Sequence, residues 1–344
     1  MSVKKIGVLT GGGDCPGLNP TIRAITRKAL SEGISVVGIL NGWQGIVEQN
    51  TVDLDLKSVS GILHKGGTIL GTSRTNPYKN EKGVEKVKKN FKVLKLDALI
   101  AIGGDDTLGA ASKLYAEGLN IIGVPKTIDN DLSCTDFTFG FDTAVNVATE
   151  AIDRLHTTAE SHHRIMVVEI MGRHAGWIAT YAGIAGGADM ILIPEVPVDI
   201  NEVCKSLKKR HKRGKDFSIV VVAEGAKLKG ENPVLKKNAK DAFGNVLLGG
   251  IGHIIGKKLE EATGFETRVT VLGHVQRGGT PSAFDRVLAT RFGVKAVELA
   301  LKDDFGQMVA LKGNKIVSAP LKSAVGTLKT VDMKLYEIAK IFFG

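Results

Sequence analysis

Apolar residues in this chain follow two alternating patterns. Short, nearly continuous runs cover Lys5–Thr10, Ser35–Leu40, Ala98–Ile102 and Asn120–Val124, and again Ile165–Ile170, Met190–Ile193 and Ser218–Ala223. Such runs read as strands buried on both faces of a parallel sheet. Between them, apolar positions at helical spacing predict helices over about Pro20–Ser31, Val84–Phe91, Leu108–Glu117, Thr143–Ser161 and Ser282–Leu301. Alternation of this kind predicts an α/β fold with mainly parallel sheets. At 344 residues there is room for about two domains. The expected division puts 1–140 and about 279–310 in one domain, with about 141–278 and the C-terminal segment 311–344 in the other. The long helix from Thr143 carries the chain across.

Composition narrows the class without choosing a function. Hydrophobic residues make up 43% and charged residues 24%, which fits an ordinary globular protein with a full core. Lysine and arginine outnumber the acids 46 to 36, a net charge of +10 that favours anionic partners. The densest basic run, Lys208–Lys215, lacks interleaved aromatics and reads as the end of an amphipathic helix, so no nucleic-acid partner is expected. Cys15, Cys134 and Cys204 make no paired metal spacing, and a reducing, cytoplasmic setting is the natural inference. No stretch approaches the ~20 apolar residues of a membrane span, so no membrane partner is expected.

The glycines carry more information, because they gather where apolar runs end. In open α/β sheets, ligands bind beyond the carboxyl ends of the strands. Thr10–Asn19 (TGGGDCPGLN) follows the first run and opens a helix, a setting in which backbone N–H groups approach phosphate. It has neither the P-loop spacing nor the dinucleotide pattern, since Pro16 stands at the third glycine position. Gly103-Gly104-Asp105-Asp106-Thr107 places two carboxylates at a helix start. Asp105 suits Mg²⁺, the reading preferred over a pair that only caps the helix through Asp106 or Thr107. Thr127-Ile128-Asp129-Asn130-Asp131 reads as an acidic turn, or as the home of a general base at Asp129. Farther on, Glu169–Gly176 carries Arg173 and Gly273–Gly279 carries His274 and Arg277. Convergent arginines suit a phosphorylated substrate, although any one of them, like Arg164 or Arg268, could be a surface ion-pair partner. His162-His163 has no third ligand at useful spacing, so no zinc site is expected.

Together and in order, these blocks resemble the phosphofructokinase family over most of the chain. The resemblance implies two similar three-layer α/β domains, a phosphoryl-donor domain and a fructose 6-phosphate domain, with the active site in the cleft between them. It implies transfer of a phosphoryl group to the 1-hydroxyl of fructose 6-phosphate, reversible in one branch, by a homodimer or homotetramer. Asp129 matches the catalytic base, Thr127 its neighbour on the substrate hydroxyl, and Arg173 the arginine on the transferring phosphoryl group. Asp105 matches the metal-associated acid. Gly12, Gly13, Arg74, Asp106, Thr107 and Lys126 match the donor site. Met171, Gly172, Glu224, His274 and Arg277 match sugar-phosphate positions. Arg164 and Arg268 match arginines that reach a neighbouring subunit's site.

Asp106 and Lys126 resemble the family's pyrophosphate-dependent branch, since ATP-using members have glycine at both positions. A carboxylate at the first would clash with a nucleotide's α-phosphate, and an ammonium at the second suits a compact anion. An ATP-dependent 6-phosphofructokinase is the alternative, and a non-catalytic sugar-phosphate-sensing protein is the alternative of another class. Arg23, Arg27, Arg213 and Lys215 fit the family's effector cluster, but Leu56 and His156 stand where arginines are expected, so little classical regulation is expected.

Overall fold

The structure, a computed structural model, describes residues 3–230, 235–240, 246–248 and 250–344. Along the first part run β1 (Lys5–Thr10), α1 (Leu18–Ser31), β2 (Ser35–Ile39), α2 (Trp43–Glu48), β3 (Thr51–Leu54), α3 (Gly83–Val93), β4 (Ala98–Gly103), α4 (Asp105–Ala116) and β5 (Ile121–Pro125). The long α5 (Phe141–His162) leads to β6 (Ile165–Ile170), α6 (Trp177–Ala185), β7 (Met190–Leu192), α7 (Ile200–Lys212) and β8 (Ser218–Ala223). Then come β9 (Leu235–Lys240), β10 (Val246–Leu248), α8 (Ile251–Thr263), β11 (Thr267–Val271), α9 (Ala283–Leu301), β12 (Gln307–Lys312), β13 (Lys315–Pro320), α10 (Leu321–Ala324) and α11 (Met333–Lys340).

The first sheet has the order β13-β12-β5-β4-β1-β2-β3, and only its edge strands β3 and β13 run antiparallel. The second, β11-β6-β8-β7, is wholly parallel. All six residues of β4, β6 and β8 are buried, as strands covered on both faces must be. One core cluster runs from Ile6 and Val8 through Ala144, Ala148 and Ile152 of α5 to Val168, Ile170 and Val221, joining the inner faces of both sheets. Separate clusters close the outer faces, one with α2, α3 and α4 and the other with α7 and α8.

The expected division of the C-terminal segment 311–344 needs correction. β13 lies at the edge of the first sheet, paired with β12 from Gln307↔Pro320 to Lys312↔Lys315. The two residues between are Gly313, with φ 55°, and Asn314, a tight hairpin signal in the sequence. From about Lys329 the chain turns to the second sheet's side, where Trp177 Nε1 donates to Lys329 O at 2.9 Å and Tyr336 Oη to Ile191 O at 2.8 Å. The helix expected from Leu108 begins at Asp105, because Gly104 supplies an extended cap and both acids sit in the first turn, where the helix dipole favours them.

Candidate active site

Three neighbouring parallel strands, β1, β4 and β5, deliver their following loops to one edge of the first sheet. After β1, Gly12 takes a left-handed φ of 78°, and Thr72 Oγ1 donates to its carbonyl at 2.6 Å. Buried Thr107 is wedged between this loop and the end of β4. A Cβ on Gly11 or Gly103 would lie 2.6 or 2.3 Å from the Thr107 side chain, so both glycines are required for α4 to come so near. Neither acid of the Asp105-Asp106 pair caps α4; instead Asp105 Oδ1 accepts a hydrogen bond from Gly326 N at 2.9 Å.

After β5, Lys126 is 3% exposed and donates its ammonium to the carbonyl of Gly13. Burial lowers its pKa, with a further push from the Arg277 charge. Thr127 Oγ1 accepts the Asp129 N–H at 3.1 Å, closing a local turn. Asp129 is 5% exposed, lines the cleft, and keeps Oδ1 without a hydrogen-bond partner. Such an oxygen is costly to leave in a folded protein unless a ligand satisfies it. Asn130 beside it is fully buried with a left-handed φ of 52°. Burial, then the adjacent Asp129 charge, raises the Asp131 pKa to about 7.

The facing wall comes from the second sheet. Arg173 follows Gly172 at the end of β6 and holds a left-handed φ of 51°. Glu224 Oε1 fixes this bend by accepting the N–H groups of Gly172 and Arg173 at 3.3 and 3.0 Å. Burial, then Asp129, raises the Glu224 pKa. The guanidinium of Arg277 reaches across to the first-sheet loop, so near that a Cβ on Gly13 would stand 2.6 Å from Nη1.

Gly12, Gly13, Asp105, Asp106, Thr107, Lys126, Thr127, Asp129, Arg173 and Arg277 thus line one narrow cleft of about 80 Å³. Asp105 and Asp106 also line an adjoining cavity of about 810 Å³, with Asn76, Tyr78, Lys113 and Phe305 on its walls. Asp106 thus stands where the two spaces meet, next to Asp105. Lys126 lines the narrow cleft and not the larger cavity.

Other expected residues lie elsewhere. Arg74 is exposed and does not line the cleft, although Thr72, two residues before it, supports Gly12. Buried Met171 donates its N–H to Gln276 Oε1 at 3.2 Å. His274 is exposed in a short 3-10 turn, Gly273–Arg277. Arg164 precedes β6, and Arg268 pairs with Met166 across β11 and β6, so both stand at the amino ends of their strands. A six-residue strand spans about 20 Å, which separates these two arginines from Arg173. Both bind the Glu266 carboxylate, Arg164 at 2.9 Å. Sequence reasoning gave no role to Asp14 or Asp131, which line the cleft, or to Gln276 beneath Met171. The acidic turn signalled Asp131; a glutamine between Val275 and Arg277 reads like any surface residue.

Among known proteins, the family described as Phosphofructokinase matches residues 5–300. A pyrophosphate–fructose 6-phosphate 1-phosphotransferase of Streptomyces coelicolor is 58% identical over 342 residues, covering 99% of this chain and all of the relative. An ATP-dependent 6-phosphofructokinase of Corynebacterium efficiens is 52% identical, with both chains wholly covered. The solved phosphofructokinase of Saccharomyces cerevisiae superposes with a TM-score of 0.82 at 34% identity, covering 98% of this chain and 46% of the yeast chain. The chain belongs to the phosphofructokinase family.

Proposed function

We propose that the protein transfers a phosphoryl group from pyrophosphate to the 1-hydroxyl of fructose 6-phosphate, giving fructose 1,6-bisphosphate and orthophosphate. The observation that carries this reading is the buried, unpartnered Oδ1 of Asp129, facing a cleft whose walls carry Lys126, Arg173 and Arg277. Asp129 accepts the hydroxyl proton as the sugar oxygen attacks the nearer phosphorus and the bridging P–O bond breaks. Thr127 orients that hydroxyl, and Arg173 balances charge on the transferring group. Gly12, Gly13, Asp106, Thr107, Lys126 and, by a side-chain movement, Arg74 hold the donor. Met171, Gly172, Glu224, His274 and Arg277 hold the sugar phosphate. Arg277, whose guanidinium lies against Gly13 of the donor loop, would meet both substrates.

Mg²⁺ fits the donor set, since it keeps several waters and needs only one or two protein carboxylates beside phosphate oxygens. Among the described residues no group of three metal-ligating side chains occurs. Asp105 would hold it through the oxygen that Gly326 leaves open. The ion would neutralise donor charge.

Arg164 and Arg268, far from Arg173 in the same chain, complete the site of a neighbouring copy in a homodimer or homotetramer, as their match to the family's arginines implies. The reaction is reversible and serves glycolysis or gluconeogenesis in the cytoplasm. Among the described residues no helix is long and apolar enough to cross a membrane.

Two observations favour the ATP-dependent reading, the roomy cavity beside Asp106 and the 52% identity to the Corynebacterium efficiens relative. Rates measured with pyrophosphate and with ATP, on the same purified protein, decide between them. Faster turnover with ATP would overturn the donor assignment.

A further inference from the structure

After α10 the chain runs as an extended strap that touches the start of α4, the loop after β5 and the segment that follows β6. Gly326 N reaches Asp105 Oδ1, as described, and Ser133 Oγ donates to Thr327 O at 2.8 Å. Leu328 forms an isolated antiparallel bridge with Leu132. Lys329 N donates to Asp131 O at 2.9 Å, and Trp177 Nε1 donates to Lys329 O at 2.9 Å. Val331 N binds Glu195 Oε1 at 3.0 Å, and that carboxylate also accepts Gly176 N, just beyond the Arg173 bend.

The side chain of Lys329 is the centre of this arrangement. Its ammonium donates to Asn130 Oδ1 at 3.1 Å, Thr135 O at 2.9 Å and Asp136 O at 2.8 Å, and stands 5.1 Å from the Trp177 ring centroid. All three N–H groups of a lysine are thus used on one loop. Asn130 Oδ1 also accepts Thr138 N at 3.1 Å, so this one atom ties the strap and the loop's return to a left-handed residue. Asn130 carries Asp129 and Asp131 on its two peptide bonds, and whatever holds its backbone holds the Asp129 carboxylate.

We propose that Lys329 is a positioning residue for phosphoryl transfer: it locks Asn130 in its left-handed conformation and thereby aims Asp129 at the attacking hydroxyl. This rests on Asp129 being the base. An error of about 1 Å in such a group costs on the order of 10²-fold in rate. Burial lowers the Lys329 pKa to about 8, opposed by the Asp136 and Asp131 charges, with Lys312 adding to the lowering. Above that pH the neutral amine has one donor fewer for three acceptors, so the loop loosens.

The test uses the full-length protein with Lys329→Met and Lys329→Arg, beside Asp129→Asn as reference. Lys329→Met is expected to lower kcat ~10–100-fold with little change in the KM for pyrophosphate. Lys329→Arg, which stays charged at all accessible pH, is expected to recover much of kcat and to move the alkaline decline of the pH–kcat profile upward from about pH 8. If Lys329→Met does not fold, the Lys329→Arg profile decides alone, and an unshifted alkaline limb refutes the proposal. Parental kcat in a folded Lys329→Met refutes it too. If Asp129→Asn is crippled while Lys329→Met is unaffected, only the positioning role falls. If Asp129→Asn keeps full turnover, the base assignment falls and this proposal with it.

Discussion

Asp129 and Asp285 are both nearly sealed from water, at 5% and 0% exposure, and each has a carboxylate oxygen without a hydrogen bond. Their surroundings differ. Asp285 sits where α5 and α9 begin, its Oδ2 accepting Thr143 N at 2.9 Å and Thr143 Oγ1 at 2.6 Å, while Ser282 N binds the same hydroxyl at 2.9 Å. It staples two helix starts. Asp129 takes no such double anchor and lines the cleft beside Arg173, Arg277 and Lys126. Burial with an idle oxygen is therefore no signature of a base; access to a substrate-sized space, with cations on its walls, is what separates the two.

The sharpest break of this pairing is the same substitution at both places. Asp129→Asn is expected to lower kcat by ~10²–10⁴, the usual worth of a general base, with pyrophosphate binding retained. Asp285→Asn keeps an acceptor for Thr143 and is expected to leave kcat within about threefold, as a residue remote from the reacting atoms should. Equal losses at the two positions in steady-state assays would erase the distinction.

A second contrast concerns arginines at opposite ends of β6. Arg173→Ala is expected to cost ~10²-fold in kcat, the scale of one charge-stabilising donor at a transition state. Arg164→Ala is expected to act on the KM for fructose 6-phosphate, by ~10-fold, through a neighbouring copy's site. Mixing Asp129→Asn with Arg164→Ala subunits then restores a fraction of intact sites and of activity. A mixture no more active than its parts would show that Arg164 does not serve across an interface.

Much of this frame is legible in the sequence itself. The fully apolar runs that became β1, β4, β5, β6 and β8 could hardly be anything but central parallel strands, and the glycines and acids after them marked the ligand edge. Strand ends are local, and local pattern reports them well. What stayed hidden depends on contacts between distant residues. Nothing near Arg277 announces that it meets Gly13, and a lysine at 329 carries no mark of its bond to Asn130, 199 residues away. β13 was missed for another reason: as an edge strand with mixed exposure it lacks the apolar run that betrays its neighbours, although Gly313-Asn314 was a hairpin signal.

Donor choice offers a finer contrast within one wall. Asp106 faces both the narrow cleft and the larger cavity, whereas Lys126 faces only the first. Asp106→Gly alone is therefore expected to raise the ratio of ATP to pyrophosphate kcat/KM by ~10-fold or more, through relief of a like-charge contact. Lys126→Gly is expected to weaken pyrophosphate use without admitting ATP. Should Lys126→Gly open the enzyme to ATP and Asp106→Gly not, the junction has been assigned to the wrong side chain.

The smallest effect returns to Asp285. Burial raises its pKa to about 6, against the lowering influence of the Thr143 bonds and the nearby Gly140 N–H. A carboxyl whose folded pKa lies above its unfolded value favours folding most when protonated. That contribution is present below about pH 4 and is lost as pH rises through about 6. The loss amounts to roughly 2–3 kcal/mol over the window, at 1.36 kcal/mol per pKa unit. Asp285→Asn carries no such titration, so its melting temperature is expected to gain on the parent's by roughly 3–6 °C between pH 4 and pH 7. Scanning both proteins by calorimetry across that range reads the gap directly. A gap that does not change with pH would mean the carboxylate is far better solvated or bonded than its burial implies, and the contrast with Asp129 would have to rest on access alone.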